Sequence, residues 1–381
     1  MIWRTVFMRQ RATWQKLKTF GSFCLIMLLL PYIVTVFVHG KDFESLGKKE
    51  EVYVNVRKPK ASSGLSQLES RSDAVETSKT SGFSNIGSDQ EVETEIVQVP
   101  WEEYFIGIMG KEIPADAEIE LLKTQAVLLR TKLYQELESQ EQKVLEEDYL
   151  TRHELEQKAG SSEADSFYEN MVRAMRDTEN QVLFYQDTYA LAPFHQSSNG
   201  QTRNAQEVLG VDNCPYLAVR DCPLDKEADD EMQISTFEYK DIQSKCQSFL
   251  VAVAEEDANK TCQFSDFEII SHDSAGYVQQ MRIGETVCTG DQFRDALSLT
   301  SSAFSIKDSD GKMKITTMGK GHGLGLSQWT AQKMAEAGKN YEEILHFFFE
   351  GTTLTDGGPV KEKLQPSEAS EHGQESSEKL D

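Results

Sequence analysis

The sequence is short of positive charge. Its 381 residues include 39 Lys and Arg against 63 Asp and Glu, which gives a formal net charge of -24 at pH 7. Proteins that bind nucleic acid present a surplus of basic residues to the phosphate backbone, so this deficit argues against a nucleic-acid partner. A weakly charged or uncharged ligand fits the composition better. A chain of this length can bury a full hydrophobic core.

Acidic residues are missing from the first 41 positions, and long apolar runs are missing from the rest of the chain. Basic residues are concentrated in residues 1–20, and an apolar run follows at residues 21–38. This order predicts an uncleaved, single-pass transmembrane anchor at residues 21–38, with residues 1–20 in the cytoplasm and the remainder of the chain extracytoplasmic. A cleaved signal peptide is the alternative, but its apolar region would be shorter and followed by small residues.

Large apolar residues are scarce in two further stretches. We expect residues 39–95 to form a flexible stalk and residues 355–381 to form a disordered acidic tail, because neither can offset its ordering entropy by burial. One folded domain remains at residues 96–354. Helical patterns mix there with short strand patterns such as QVLFY, which predicts an α+β fold with a single curved, mixed, mostly antiparallel sheet and packed helices.

The start of this domain joins a glutamate to an amphipathic helix. Apolar residues recur at three- and four-residue steps from Ile119 to Leu137, which predicts a helix with one buried face. Glu112 precedes it in a Glu-x-Pro turn, between the apolar sequence YFIGIM and Pro114. An apolar setting raises the pKa of a carboxyl group by desolvation, so Glu112 is a candidate acid. A solvated glutamate in front of a helix is the alternative.

A glycine-rich stretch, GKGHGLGLSQ at residues 319–328, stands before another predicted helix. Alternating glycines indicate turns with positive φ or a close approach of the backbone to another group. A phosphate-binding loop lacks support, because no Gly-Lys-Ser or Gly-Lys-Thr sequence and no preceding strand pattern are present. A second stretch, FHQSSNGQT at residues 194–202, offers hydroxyl and amide groups that either line a groove or form a turn.

These stretches resemble, in order, the motifs of the stage II sporulation protein D family. The resemblance is carried by YFIGIMGKEIP, LLKTQAVLLRT, FHQSSNGQT, CPYLAVRDCPLD and the glycine-rich stretch, and it extends from about Trp101 to Leu354. Members of that family are membrane-anchored peptidoglycan lytic transglycosylases of endospore-forming bacteria. The resemblance implies cleavage of the β-1,4 bond between N-acetylmuramic acid and N-acetylglucosamine in peptide-stripped glycan strands during engulfment, which leaves 1,6-anhydro ends.

The resemblance also implies roles for individual residues. Glu112 would be the catalytic acid and base, and His322 would orient it or contact the glycan. The residues implied in substrate binding are Arg130, Ser197, Ser198, Gly200, Gly321, His322, Gly323, Gly325, Ser327 and Gln328. Structural alternatives remain open, since Arg130 could pair with an acidic neighbour and His322 could make a structural hydrogen bond.

His195, Cys214 and Cys222 form a possible metal site. A histidine and two cysteines could supply three tetrahedral zinc ligands, and a zinc site resembles what some clostridial members of the family have. Zinc there would shape the groove. The competing interpretation is a disulfide between Cys214 and Cys222, which an extracytoplasmic location permits.

The implied partners are glycan strands, the membrane, a sporulation amidase and a membrane protein of the engulfment complex. A different class of function is a non-catalytic, glycan-binding scaffold that recruits the amidase and membrane partners. Such a scaffold needs the groove but does not need Glu112 as an acid. A zinc-dependent hydrolase is a third hypothesis.

Overall fold

The computed structural model describes residues 51–59, 93–160, 164–229, 231–250 and 262–365. The predicted anchor at residues 21–38 lies outside this part of the chain. Within the described part, no helix combines the length and apolar character needed to cross a membrane. The chain divides into two compact units, residues 1–51 and residues 52–381, and all helices and strands of the described part belong to the second unit.

Short strands and helices alternate along this unit. The strands are β1 (Tyr53–Pro59), β2 (Thr94–Pro100), β3 (Val144–Leu145), β4 (Gln181–Tyr185), β5 (Thr188–Tyr189), β6 (Phe194–His195), β7 (Met232–Phe237), β8 (Phe267–His272), β9 (Val278–Ile283), β10 (Thr286–Thr289), β11 (Phe304–Ser309), β12 (Lys312–Met318), β13 (Leu326–Ser327) and β14 (Thr353–Asp356). The helices are α1 (Trp101–Glu112), α2 (Ile119–Ser139), α3 (Arg152–Ala159), α4 (Ala164–Asp177), α5 (Ala205–Leu209), α6 (Tyr239–Lys245), α7 (Gly290–Leu297), α8 (Gln328–Glu336), α9 (Tyr341–Phe348) and α10 (Val360–Lys363).

The α+β class is confirmed, but the single curved sheet is wrong. In the described residues the strands form five small sheets, with the orders β2-β1-β3, β10-β9-β8, β11-β12-β7, β13-β6 and β14-β4-β5. Their pairs are antiparallel except β1 with β3 and β13 with β6. Helices and loops separate most consecutive strands, so each sheet stays at two or three strands and packs on helices instead of extending.

The folded part begins before the predicted boundary. β1 pairs with β2 along its whole length, from Tyr53 opposite Pro100 to Pro59 opposite Thr94. Val54 and Val56 alternate inward and are each 1% exposed in the main core. Residues 53–59 therefore do not belong to a flexible stalk. Their alternating YVNV pattern is a strand signal that the polar flanking sequence conceals.

The folded part also ends later than predicted. β14 pairs with β4, from Thr353 opposite Phe184 to Asp356 opposite Gln181. α10 follows it, and its Val360 is buried in the main core. The predicted disordered tail is therefore wrong for residues 355–365, while residues 366–381 lie outside the described part.

The long helix α2 is the centre of the main core. It packs against α4, β4, α8 and α9. The predicted apolar face is buried from Leu122 to Leu137, but residues 124–131 are buried on every side of the helix, so the expectation of a single buried face is wrong there. A second core cluster is formed by the region from β7 to β12 with α6 and α7. The serine-rich and glycine-rich stretches connect these regions, so the candidate site depends on contacts between distant parts of the chain.

Candidate active site

The glycine-rich stretch has the backbone conformation that its sequence predicts. Positive φ angles occur at its four glycines: Gly319 (84°), Gly321 (119°), Gly323 (79°) and Gly325 (69°). At Gly325, a Cβ atom would lie 2.1 Å from the carbonyl oxygen of Pro193, and at Gly321 it would lie 2.6 Å from the Cβ of His195. The group that approaches these two glycines is therefore the protein itself.

Two segments lie side by side as a result. We call residues 193–203 the serine segment and residues 319–328 the glycine segment. The N–H of Lys320 donates to the Ser197 carbonyl at 2.9 Å, and the N–H of Arg203 donates to the Gly323 carbonyl at 2.8 Å. β6 and β13 continue the contact as a parallel pair. Their backbones bind each other, and protein atoms occupy the side of Gly321, Gly323 and Gly325 on which a Cβ would stand. Sugar contacts by these three glycines stay a prediction.

Asp225 joins the serine segment to the start of α8. It is fully buried in a short 3-10 helix, Pro223–Glu227. Its Oδ2 accepts from the N–H and Oγ of Ser198, both at 2.6 Å, and its Oδ1 accepts from Ser327 Oγ at 2.8 Å and Thr330 Oγ1 at 2.6 Å. Ser198 and Ser327 are fully buried, so they fix the two segments and do not line an open groove.

Ser197 has a similar internal role. It is 3% exposed, and its Oγ donates to Glu231 Oε2 at 3.1 Å. Burial raises the pKa of Glu231 to about 7, and its other oxygen, Oε1, is buried without a hydrogen-bond partner among the described residues. Gly200 differs, because it borders a cavity of about 560 Å³ together with the polar side chains of Asn199, Gln201 and Lys226. Of the predicted binding residues in the serine segment, Gly200 is therefore the one that lines this cavity.

Arg203, the last residue of the serine segment, also holds the glycine segment in place. It is 2% exposed and its Nε donates to Asp273 Oδ2 at 2.6 Å, while its Nη1 donates to Asp291 Oδ2 at 2.9 Å. The same Nη1 donates to the His322 carbonyl at 3.2 Å, and the guanidinium lies 4.8 Å from the ring centre of Tyr277. Arg203 thus ties the glycine segment to two acidic side chains. Sequence reasoning missed both Arg203 and Asp225, because no spacing rule connects them to their distant partners.

The two histidines of these segments face each other. The rings of His195 and His322 are 5.8 Å apart between centroids. His195 Nδ1 lies 3.1 Å from the Leu324 carbonyl, and His322 Nδ1 accepts from the Leu324 N–H at 3.1 Å. Burial lowers the pKa of His195 to about 4 and that of His322 to about 3, so both rings are neutral at pH 7. These contacts give His322 a structural hydrogen bond, and they include none with Glu112.

The predicted zinc ligands do not form a metal site. Across the described residues, no group of three His, Cys, Asp or Glu side chains is arranged to hold a metal ion. Cys214 and Cys222 are buried free thiols, so the alternative disulfide is not formed either. The Tyr216 hydroxyl donates to Cys214 Sγ at 3.7 Å, whereas burial raises the pKa of the Cys222 thiol to about 12.

Arg130 is part of the core and not of a groove. It is 2% exposed and donates from Nη2 to the Met175 carbonyl at 3.0 Å and from Nη1 to the Gln181 carbonyl at 3.1 Å. Burial lowers the pKa of Arg130 to about 10. The guanidinium therefore ties α2 to the end of α4 and the start of β4, and its contact with substrate stays a prediction.

Glu112 is the last residue of α1 and remains partly exposed. Burial raises the pKa of its carboxyl group above the ordinary value, as the sequence predicted. Gln328, which begins α8 and is buried, donates from Nε2 to the Glu112 carbonyl at 3.2 Å and to Gln125 Oε1 at 3.3 Å. Three sequence motifs thus meet at Glu112. Gln328 supports the glutamate backbone and does not point to solvent.

The exposed surface next to this junction carries an amide and an indole. The N–H of Trp329 donates to the Gln196 carbonyl at 3.0 Å, which places the two residues side by side. Gln196 is exposed and Trp329 is partly exposed. Within the described ranges the indole Nε1 of Trp329 has no hydrogen-bond partner. Sequence reasoning did not single out either residue, although Trp329 directly follows the glycine segment.

The geometry defines an α+β domain in which two packed loop segments support one desolvated glutamate at a helix end. The sequence of this chain is similar to that of the stage II sporulation protein D family. Residues 89–185, which include Glu112, Gln125 and Arg130, match the family model described as stage II sporulation protein. This part of the chain is therefore similar to a family of sporulation proteins.

Relatives match over most of the chain. Stage II sporulation protein D of Bacillus subtilis (strain 168) is 27% identical over 350 residues, covering 89% of this chain and 95% of that protein. The protein of the same name from Bacillus amyloliquefaciens is 26% identical over 281 residues, covering 68% of this chain and 76% of that protein. A third relative, named amidase enhancer, from Bacillus subtilis (strain 168), is 24% identical over 303 residues, covering 65% of this chain and 40% of that protein.

Proposed function

We propose that the protein is a membrane-anchored lytic transglycosylase that cleaves the bond between N-acetylmuramic acid and N-acetylglucosamine in peptide-stripped glycan strands during engulfment. The observation that carries the proposal is the state of Glu112. Its carboxyl group is partly exposed, its pKa is raised by burial, and its backbone is held by Gln328. A raised pKa favours the protonated form of a carboxyl group, and that form can protonate a glycosidic oxygen.

A single carboxylate is sufficient for this reaction. Hydrolytic glycosidases use two carboxyl groups, the second of which activates water or attacks the sugar. Glu147 is the other carboxylate whose charge acts on Glu112, and its Oε2 accepts a hydrogen bond from Lys132 Nζ. A transglycosylase instead uses the C6 hydroxyl of the muramic acid as the nucleophile. Glu112 then protonates the leaving oxygen and afterwards takes the hydroxyl proton, and the tethered nucleophile gains from high effective molarity.

Binding would involve the exposed groups near Glu112. Gln196 offers amide groups to sugar hydroxyls and acetamido groups, and the partly exposed Trp329 offers an aromatic side chain, although its indole Nε1 is itself buried. The buried serines and glycines have a supporting role, since they hold these two residues and α8 in place. No step of this mechanism requires a metal ion.

Location and partners follow from the sequence and from the names of relatives. The basic segment and apolar run at residues 1–38 favour a cytoplasmic N-terminus and an extracytoplasmic domain. One relative is named amidase enhancer, which favours an amidase as a partner of this chain. A membrane protein of the engulfment complex is a further proposed partner. The net charge of -24 argues against nucleic acid.

Digestion of purified peptide-free glycan strands tests the proposal. The full chain would be compared with Glu112→Gln and with Asp116→Asn, a matched control that neutralises an exposed carboxylate four residues away. Products are identified by mass spectrometry. We expect 1,6-anhydro-muramic ends from the wild type and the control, and none from Glu112→Gln, which should still bind glycan.

Other outcomes lead to different conclusions. Product ends that have gained water would show that the protein is a hydrolase and not a transglycosylase. Glycan binding without cleavage by the wild type would favour the alternative function, a scaffold that recruits an amidase. Equal activity in Glu112→Gln and wild type would remove Glu112 from the mechanism.

A further inference from the structure

The end of α1 carries Glu112, and the backbone carbonyls of residues 109–113 all have hydrogen-bond partners. A helix end normally leaves its last carbonyls without partners inside the helix, and other groups must supply the hydrogen bonds. The Met109 carbonyl accepts from the Ile113 N–H at 3.2 Å. The Glu112 carbonyl accepts from Gln328 Nε2, also at 3.2 Å.

The other three carbonyls of this turn bind one atom, the ammonium Nζ of Lys158. The distances are 2.8 Å to Gly110, 2.9 Å to Lys111 and 2.9 Å to Ile113. An ammonium group has three N–H donors on one nitrogen, so three converging carbonyls saturate it. A cation is also favoured at the negative end of the helix dipole. Lys158 is thus a complete side-chain cap for the helix that ends in Glu112.

Two glycines of α1 allow the chain that carries Lys158 to approach closely. A Cβ at Gly110 would lie 2.3 Å from Leu155 Cδ2, and a Cβ at Gly107 would lie 2.4 Å from the Leu150 carbonyl oxygen. The Leu150 N–H also donates to the Gly107 carbonyl at 3.3 Å. The contact between α1 and α3 is therefore built for close packing, and Lys158 reaches the helix end because of it.

We propose that Lys158 is a positioning residue for Glu112, which it holds in place by binding the end of α1 and beside which it supplies a positive charge. This inference rests on the proposed function. The other charged groups that face Glu112 are Lys111, Lys132 and Glu147. Lys111 pairs with Asp148 at 3.0 Å through its side chain and does not cap the helix with that group, so it supplies charge without the cap.

The two roles of Lys158 have separate signatures. Burial raises the pKa of Glu112, and the neighbouring lysines, Lys158 among them, oppose that increase. Removal of the Lys158 charge therefore raises the pKa further. Because Glu112 acts first as an acid, activity is lost as pH rises through its pKa, and this limb of the pH profile moves to higher pH. Loss of the cap displaces the carboxyl and lowers kcat with little change in KM.

Three variants of the full chain separate cap from charge. Lys158→Met removes both, Lys158→Gln keeps amide donors without charge, and Lys111→Met removes a neighbouring charge without touching the cap. We expect Lys158→Met to lower kcat about ten- to a hundredfold and to move the high-pH limb upward. In Lys158→Gln, the high-pH limb of the pH profile should move by the same amount as in Lys158→Met, and kcat should fall less. Lys111→Met should move the limb while keeping the plateau value of kcat.

A direct titration keeps the test independent of catalysis. The Glu112 carboxyl would be followed by carbon-13 NMR in wild type and Lys158→Met, with its resonance assigned from Glu112→Gln. A higher pKa in Lys158→Met supports the proposal even where the wild type fails to cleave glycan, in which case the proposed function alone is wrong. The proposal is overturned if the pKa of Glu112 and the high-pH limb of the activity profile are both unchanged in Lys158→Met. This includes the case in which kcat falls only in proportion to the loss of folded protein.

Discussion

The side-chain amide of Gln328 donates to the backbone carbonyl of Glu112 at 3.2 Å, across 216 residues of sequence. This bond joins the first residue of α8 to the last residue of α1. Gln328 also donates to Gln125 on α2, so one amide connects three helices. The candidate acid therefore depends on the glycine segment.

Replacing Gln328 should impair catalysis more than binding. Gln328→Ala leaves the Glu112 carbonyl and Gln125 Oε1 without this donor, which should cost about 1 to 3 kcal/mol of stability. We expect kcat for glycan cleavage to fall and KM to change little, because the acid loses its support. Gln332→Ala is the matched control, since Gln332 binds the exposed N–H of Glu118 one turn further along α8. Similar kcat values in both variants would contradict this assignment.

Asp225 should be essential for folding. Asp225→Asn replaces an oxygen that accepts with an amide that must donate, opposite hydroxyl and N–H groups of Ser198, Ser327 and Thr330 that donate to it. Loss of hydrogen bonds to a buried charge should reduce the free energy of unfolding by more than about 3 kcal/mol. Urea denaturation measures this loss. Asp221→Asn, an exposed change nearby, should cost less than about 0.5 kcal/mol, and equal losses would refute the role of Asp225.

Two glycine variants should separate backbone strain from steric clash. Gly325→Ala meets both, because φ is 69° and the new Cβ would lie 2.1 Å from the Pro193 carbonyl oxygen. Gly338→Ala meets strain alone, since φ is 85° with no atom within 4 Å of the new Cβ. We expect a cost of about 1 to 2 kcal/mol at Gly338 and a clearly larger cost at Gly325. Thermal unfolding of the two variants provides the comparison, which fails if the two costs are equal.

Mild acid should destabilise the domain through the buried His195 and the partly exposed His322. Burial lowers the pKa of His195 to about 4, below the ordinary value of 6.5. The unfolded chain therefore binds the proton more readily, so this contribution to stability is complete above pH 6.5 and decreases as pH falls toward 4. For His195 the decrease is about 3 kcal/mol by pH 4. His322, with a pKa of about 3, acts in the same direction.

Unfolding measured between pH 7 and pH 4 tests this dependence. His195→Asn keeps a donor for the Leu324 carbonyl but does not titrate in this range, so its stability should change less with pH than that of the wild type. Exposed His346→Asn is the control and should follow the wild-type curve. An identical pH dependence in all three proteins would contradict the assignment to His195.

Local patterns were predicted well, because the physics that produces them is local. The apolar period from Ile119 to Leu137 predicted α2 and its buried face. The apolar context of Glu112 predicted the direction of its pKa shift. Boundaries were less reliable. A short alternating strand at residues 53–59 was concealed by polar neighbours, and its partner begins at Thr94.

The orientation of the polar motif residues was not predictable in the same way. Ser198 and Ser327 have the chemistry to bind a sugar, and equally the chemistry to donate to a buried carboxylate. Asp225 determines that these serines donate to a buried carboxylate, and it lies 102 residues from Ser327 in the sequence. Arg130 is a similar case. The motif suggested that its guanidinium binds substrate, but in the structure the guanidinium donates to the carbonyls of Met175 and Gln181.

The sequence by itself determined the resemblance to a sporulation protein family, the central helix, the positive-φ glycines and the identity of the candidate acid. Each of these depends on residue type and near neighbours. The tertiary structure decided which polar side chains are buried and which remain accessible, that the glycines approach the protein's own backbone, and that Lys158 and Gln328 hold the end of α1. These outcomes depend on hydrogen bonds between residues 27 to 216 positions apart, and no local pattern specifies the partner of a buried donor.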